Sequence, residues 1–292
     1  MFSTEQRQTG ENASTPVRAI SNVSQSTKPA DRVLDLDIGV IYTHERALMP
    51  RLLETMSVCG PGVRMRLILV DNASPEGVDA WVNYFPQTEV LHNRRALGYA
   101  ANLNRILAAS TARYVLLMNT DMYFDPAGEC LRRMVDFMDG RPDCGVAGCR
   151  LYHPDGNDAW AARRFPTVPL IFARRGGLGR WLEGTVERHF YREHAPEESW
   201  ACDWLSGCFL MARRTAVEQI GGLDEGYGKY FEDVDFCFRI ARAGWQVMYH
   251  GAASCYHLEQ RASRKLLSSD AQQHLLAYLR WLRKWGAFRK AA

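Results

Sequence analysis

The sequence predicts an α/β fold: a mostly parallel sheet with helices on both faces, forming a single domain extended by a C-terminal helix. Three observations predict it. Runs such as Arg66 to Val70 (RLILV) and Tyr114 to Met118 (YVLLM) are near-continuously apolar rather than alternating, as in strands buried on both faces. These runs alternate with segments of helical periodicity. Finally, Thr43, Asp71 and Asp121 stand at the carboxyl ends of three predicted strands, the edge at which open α/β sheets bind ligands.

The bulk properties fit such a fold. In 292 residues, 47% are hydrophobic, enough for a substantial core. A formal charge of +3 gives no reason to expect a nucleic-acid partner. None of the eight cysteines forms a C-x-x-C, so they read as small hydrophobes in a reduced, intracellular protein. A zinc site, the sharper alternative, would need pairs at ligand spacing. No run reaches the roughly eighteen apolar residues of a membrane span, and the N-terminus lacks a hydrophobic signal core. A soluble protein, or one resting on a membrane surface, is expected.

In chain order, residues 1–31 are rich in Ser, Thr, Gln and Asn and read as a disordered tail. Leu34 to Tyr42 is a predicted strand, and Leu48, Leu52, Leu53 and Met56 mark one face of the following helix. Arg66 to Val70 is the next strand, with a polar turn from Asp71 to Gly77, a helix over Val78 to Phe85, and a strand over Glu89 to His92. A helix opens at Gly98 and runs to about Ser110, before the strand Tyr114 to Asp121. A helix over Cys130 to Met138 leads to a short strand at Gly145 to Gly148. Residues 150–200 lack clear periodicity and read as a functional loop. Trp204 to Ala212 reads as one apolar strand, followed by a helix, Arg214 to Ile220, stopped by Gly221-Gly222. A helix over Val234 to Ala243, a strand over Gln246 to Tyr249 and a helix over Ala271 to Phe288 complete the pattern. In that last helix Leu275, Leu276, Leu279, Leu282 and Trp285 share a side, expected to pack on the domain.

Two groups of residues carry candidate chemistry. Asp121, backed by Asn119, could ligate Mg²⁺ or Mn²⁺, which take one or two protein carboxylates and complete their shells with water and phosphate; turn capping is the alternative. Glu232, Asp233 and Asp235 crowd a helix start, where acids complement the helix dipole. Beside apolar Tyr230 and Phe231, however, a desolvated carboxyl would be raised toward the pKa of a general base, and Asp233 is the candidate. His257 is either structural or a further metal ligand. Asp71 and Thr43 either cap turns or bind a nucleobase or ribose.

From about Leu36 to His257 the chain resembles family 2 glycosyltransferases, the inverting GT-A type, and most closely their rhamnosyltransferase-like branch. The resemblance rests on VDNAS (Val70 to Ser74), GYAANLN (Gly98 to Asn104), MNTD ending at Asp121, DWLSG (Asp203 to Gly207) and GGLDEGYGKYFEDVDFCFR (Gly221 to Arg239). It implies a GT-A domain over 32–260, with a donor-binding half at 32–125 and an acceptor-side half at 126–260, and a basic amphipathic helix within 261–292. It also implies a nucleotide-sugar donor, with dTDP-rhamnose favoured. Thr43, His44, Asp71, Asn104, Asn119, Asp121, Asp203 and Trp204 would lie at the donor and sugar. Asp121 and His257 would hold the metal pyrophosphate, and Asp233, with Glu232, would deprotonate the acceptor. The sequence departs from the family's pattern at Thr43-His44-Glu45-Arg46, where His44 stands in place of a tyrosine, and at Asn119-Thr120-Asp121, a one-charge form of D-x-D.

The implied reaction is inverting sugar transfer to a saccharide or lipid-linked acceptor in cell-surface glycan synthesis. A cytoplasmic protein follows, peripheral on the inner membrane face if Trp281, Trp285, Phe288 and the late basic residues meet anionic lipid. Two rivals are a non-catalytic nucleotide-sugar-binding protein and a nucleotidyltransferase. The first is disfavoured by the presence of both Asp121 and Asp233, the second by the missing Gly-rich basic loop.

Overall fold

A computed structural model describes residues 34–167, 170, 183–258 and 269–286. The expected tail at 1–31, residues 171–182 of the irregular stretch, and Phe288, Arg289 and Lys290 lie outside the described residues.

In chain order the strands are β1 (Leu36–Tyr42), β2 (Met65–Asp71), β3 (Thr88–His92), β4 (Tyr114–Met118), β5 (Met122–Tyr123), β6 (Cys144–Tyr152), β7 (Ala162–Arg163), β8 (Ser199–Ala201), β9 (Trp204–Leu205), β10 (Phe209–Arg213) and β11 (Gln246–His257). The helices are α1 (Met49–Val58), α2 (Tyr99–Ala109), α3 (Cys130–Asp139), α4 (Glu183–His189), α5 (Arg214–Ile220), α6 (Glu232–Arg242) and α7 (Ser269–Trp285). The main sheet runs β3-β2-β1-β4-β10-β6-β11-β5, with β8 also paired to β11. Its first four strands are parallel, as expected. β10 lies antiparallel between β4 and β6, while β11 runs parallel to β6. The sheet is therefore mixed but mostly parallel, and β7 and β9 form a small separate ribbon.

Five expected elements change. Between Val78 and Phe85 only a 3₁₀ turn forms, at Val82–Tyr84. Pro86 follows, and it biases Phe85 to the extended conformation found there, so an α-helix has no room to propagate. The run Trp204 to Ala212 splits into β9 and β10, because Gly207 steps out of line to meet Asp233, its N–H donating to Oδ2 at 2.9 Å. Asn119-Thr120-Asp121 lies beyond the end of β4 as a turn. β6 and β11 extend well past Gly148 and Tyr249, the second half of β11 resuming its pairing with β6 after an irregularity between His250 and Ser254. Beyond His250 the strand continues through Gly251-Ala252-Ala253-Ser254-Cys255, small residues that carry no strand pattern of their own.

The eight cysteines are buried thiols, Cys149 and Cys255 meeting across β6 and β11 with sulfurs 3.3 Å apart. Among the described residues no three His, Cys, Asp or Glu side chains converge on a metal cage, and no helix is long and apolar enough to cross a membrane.

α7 packs only partly as expected: Leu282 and Trp285 lie against the core, but the rest of the expected side does not. Ala277, Tyr278 and Trp281 are buried, with Trp281 against Phe165, Phe231 and Phe238, whereas Leu275, Leu276 and Leu279 are exposed. The slot on the domain is walled by aromatic rings, which rings on the helix fill better than leucines. Trp285 donates from Nε1 to Asp235 at 2.7 Å, and Lys284 joins the same carboxylate at 2.7 Å. Trp281 and Trp285 thus face the protein rather than a lipid surface.

One buried charge aligns the parallel half. Asp37, on β1, is fully buried and accepts from Arg66 (2.7 and 2.9 Å), the Ser110 hydroxyl (2.8 Å) and the backbone N–H groups of Thr111 and Ala112. Burial alone would raise its pKa, but these donors hold it below the usual carboxylate value. The carboxylate thereby pins the turn from α2 into β4 against β1 and β2. Asp37→Ala should cost about 3–5 kcal/mol, the effect of stranding a buried partner. Urea unfolding measures it, and a loss below about 1 kcal/mol, the range of an exposed ion pair, would show that Arg66 is solvated instead.

Candidate active site

At the carboxyl edge of β1 and β4 lies a pocket of about 350 Å³, lined by Thr43, Glu45, Tyr99, Asn119, Asp121 and Lys229 among others. Here β2 and β3 lie to one side of β1 and β4 to the other, the reversal of strand order at which open α/β sheets form a crevice. Glu45 shapes the rim by accepting from the backbone N–H groups of Thr43 and His44, both at 2.9 Å.

Asp121 and His257 meet on this edge although 136 residues separate them in sequence. β5, immediately after Asp121, pairs antiparallel with the end of β11 in the register His257↔Met122, and Leu258 N–H donates to Asp121 C=O at 2.9 Å. The result is His257 Nε2 3.2 Å from Asp121 Oδ2, each side chain 14% exposed. Burial disfavours the imidazolium, but the neighbouring Cys208 thiol and the Asp121 carboxylate outweigh it and push His257 up to about 10.

The second acidic group begins at α6. Tyr230 and Phe231 both hold positive φ, 72° and 69°, a left-handed conformation costly for bulky side chains. The kink turns α6 so that its first two residues are Glu232 and Asp233. Asp233 accepts from Gly207 N–H at 2.9 Å and from Val234 N–H at 2.8 Å. A Cβ at position 207 would lie 3.2 Å from that of Asp233, so the close approach calls for glycine. Glu232 is buried and its Oε2 makes no hydrogen bond. Burial, then the charge of Asp233, pushes Glu232 up to about 8, and burial likewise raises Asp233.

Tyr99, the first residue of α2, links the two acidic groups. Its hydroxyl hydrogen-bonds with Asn119 Oδ1 at 2.8 Å and lies 3.3 Å from the carbonyl of Gly207, the residue whose N–H holds Asp233. Burial, together with Glu232, Cys208, Asp233 and Asp121 around it, raises the phenol far above its normal pKa, so it remains a neutral donor.

The other sequence-predicted residues divide. Asp71 accepts from Ser74 N–H at 2.8 Å and pairs with His92 Nδ1 at 3.1 Å; burial opposes ionisation, but these contacts hold its pKa low. Thr43 lines the pocket, whereas His44 is exposed. Asn104 is not brought to the pocket: it grips the 223–225 turn, donating to Leu223 C=O at 3.0 Å and Glu225 at 2.8 Å and accepting from Leu223 N–H at 2.8 Å. Asp203 accepts from Phe165 N–H at 2.7 Å, and Trp204 Nε1 donates to Arg164 C=O at 2.9 Å, so both brace the segment around β7.

Sequence reading passed over Tyr99, Glu45 and Lys229, and also the amides beneath the pocket. Asn93 donates to Asn72 at 2.8 Å and to Asn102 at 2.6 Å, tying the ends of β2 and β3 to the start of α2. The recurrent Asn in VDNAS, His92-Asn93 and GYAANLN was the available signal. Buried amides form such networks because each unsatisfied polar group would be costly.

The fold is that of a GT-A-class enzyme, with a pocket at the edge of a mostly parallel sheet and a separate pair of carboxyl groups at the start of α6. The model of the family described as Glycosyl transferase family 2 matches residues 38–221, and the chain belongs to that family. An N-acetylglucosaminyl-diphospho-decaprenol L-rhamnosyltransferase of Mycobacterium tuberculosis is 30% identical over 229 residues, covering 73% of this chain and 71% of that protein. Rhamnosyltransferase WbbL of Escherichia coli is 32% identical over 80 residues, covering 27% of this chain and 30% of that protein. Among solved structures, the Pyrobaculum calidifontis mannosyltransferase PcManGT, in complex with GDP-Man and Mn²⁺, superimposes with a TM-score of 0.61 at 19% identity over 91% of this chain and 70% of its own. S. aureus TarS 1–349 with UDP-GlcNAc gives 0.59 at 13% identity, over 88% and 68%. At these identities the structural likeness speaks to the fold alone.

Proposed function

We propose that the protein is an inverting glycosyltransferase that moves rhamnose from dTDP-rhamnose to a saccharide carried on a polyprenyl diphosphate, in cell-surface glycan synthesis, working from the cytoplasmic side of the membrane. The observation that carries the reading is the separation of two acidic groups: Asp121 with His257 on the pocket edge, and Asp233 with Glu232 at the start of α6, bridged by Tyr99. The relatives' rhamnosyltransferase names support the donor and acceptor classes.

Asp121 and His257 offer one carboxylate and one imidazole at adjacent positions, a two-ligand set that fits Mn²⁺ or Mg²⁺ with water and phosphate oxygens completing the shell. When bound, such an ion neutralises the charge that develops on the departing nucleoside diphosphate. Thr43 and Asp71 contact the nucleoside, and Asn119, fixed by Tyr99, faces the diphosphate. Asp203 and Trp204 hold the segment that borders the sugar. Asp233 Oδ removes the acceptor hydroxyl proton as that oxygen attacks the anomeric carbon, and a single in-line displacement inverts the centre.

Glu232 keeps its neighbour basic by holding the pair's shared proton, since two adjacent buried carboxylates do not ionise together. Glu232→Gln fixes the neutral form, so transfer should persist at neutral pH with the acid limb of kcat, set by Asp233 beside a neutral neighbour, left in place, and any change of kcat near pH 8 should vanish. The folded carboxyl binds its proton more tightly than the unfolded one, so wild-type stability falls as pH rises from the usual Glu range through about 8. That decline should flatten in Glu232→Gln. A change of kcat near pH 8 that persists in Glu232→Gln would remove Glu232 from the pair.

Purified protein incubated with dTDP-rhamnose, UDP- and GDP-sugars, with and without Mn²⁺ or Mg²⁺, tests the whole reading through release of nucleoside diphosphate with a polyprenyl-diphosphate-linked N-acetylglucosamine acceptor. Metal-independent donor loss, or none with any donor, would overturn it.

A further inference from the structure

The start of α6, which carries Asp233, is held from two directions. Gly207 N–H reaches the Asp233 carboxylate at 2.9 Å. From α7, the rings of His274, Tyr278 and Trp281 pack on Phe231, the residue before α6, with centroids 5.2, 5.7 and 6.3 Å away. Positions 274, 278 and 281 fall on one face of a helix, so a single stripe of α7 makes this contact.

Phe231 needs such support. It caps α6 with φ 69° and ψ −4°, directly after Tyr230 at φ 72°, and its side chain makes no capping hydrogen bond. A bulky residue keeps a left-handed backbone only where its surroundings over-determine it. Here the ring is buried, and its packing against the rings of α7 offsets what the backbone disfavours. The Phe231 carbonyl then accepts from Asp235 N–H at 2.9 Å, which opens the helix at Glu232 and Asp233.

Trp281 joins this contact to the rest of the acidic side. It meets Phe238 edge-on at 5.2 Å, further along α6, and stacks on Phe165 at 5.7 Å. Phe165 N–H donates to Asp203 at 2.7 Å, so one buried indole touches both α6 and the segment that Asp203 anchors. Lys284 and Trp285 fix α7 on α6 through Asp235.

We infer that Trp281 is a positioning residue for sugar transfer: through Phe231 it fixes the left-handed entry to α6, and with it the place of the Asp233 carboxyl. The assignment rests on Asp233 as the acceptor-side base and deepens that reading.

Initial rates, donor calorimetry in Mn²⁺ and amide hydrogen exchange on the full chain test it in Trp281→Leu, Trp281→Phe and Phe231→Gly. Trp281→Leu should lose about ten- to a hundredfold in kcat, the cost of a reacting group displaced by about 1 Å, with donor affinity unchanged. Trp281→Phe, which keeps a ring beside Phe231, should recover most of that loss. Phe231→Gly admits the left-handed backbone without the ring, so its kcat should fall as in Trp281→Leu, and the double variant should lose no more than either alone. The Gly207 amide, released from Asp233, should exchange about tenfold faster in Trp281→Leu, while the Val40 and Leu117 amides keep the parent's protection.

A kcat in Trp281→Leu within about twofold of the parent overturns the inference. So do additive losses in the double variant, a fall in donor affinity, or faster exchange shared by Val40 and Leu117, which would make the indole general packing. If Asp233→Asn keeps its kcat, or the parent transfers no sugar, the reading of Asp233 as base fails instead, and Gly207 exchange alone decides whether Trp281 holds that carboxyl.

Discussion

Asp233→Asn should reduce sugar transfer by about a thousandfold, within the range that a positioned general base contributes, while the donor still binds with its metal. The amide keeps one oxygen for the 2.9 Å bond from Gly207 N–H and gives up the bond from Val234 N–H, so the β9–β10 step keeps its geometry. What disappears is the ability to take a proton. Initial rates, with donor affinity measured separately by calorimetry, give the split: kcat falls and donor affinity stays. A matching fall in donor affinity would show that Asp233 belongs to the donor side and would dissolve the two-part site.

Asp121→Asn should act in the opposite way. Replacing the carboxylate beside His257 removes the only formal negative charge of Asn119-Thr120-Asp121. Charge-assisted contacts are worth about 1.5–3 kcal/mol, so donor affinity in Mn²⁺ should weaken by about ten- to a hundredfold. Without divalent ion the variant and the parent should bind donor alike. If the difference persists in chelator, Asp121 holds the turn before β5 and not a metal.

The parallel half and the end of YVLLMNTD were legible because buried strands are written in local composition and their polar terminators follow directly. The same local logic pointed to Asp233, since three acids in four residues at a helix start exceed what a dipole requires. It could not divide them: Asp235 is fully buried and bonded to Arg239, Lys284 and Trp285, a clamp for α7, whereas Glu232 and Asp233 border the site. Nor could it see Asn104 drawn away to the 223–225 turn, or Leu275, Leu276 and Leu279 of α7 turned outward, because an amphipathic pattern does not say which of two apolar stripes the domain will cover.

By itself, then, the sequence determined the α/β class, the order of the parallel strands' elements and the family resemblance, and it pointed to Asp121 and Asp233 as the candidate carboxylates. Tertiary structure alone decided that β10 enters antiparallel, that β5 and the end of β11 pair so that His257 meets Asp121, and that Tyr99 spans the interval to Gly207. The reason is physical. Helix and strand signals arise from neighbours a few residues apart, whereas the His257 contact depends on a hydrogen-bond register between segments 136 residues apart, which no short-range pattern encodes.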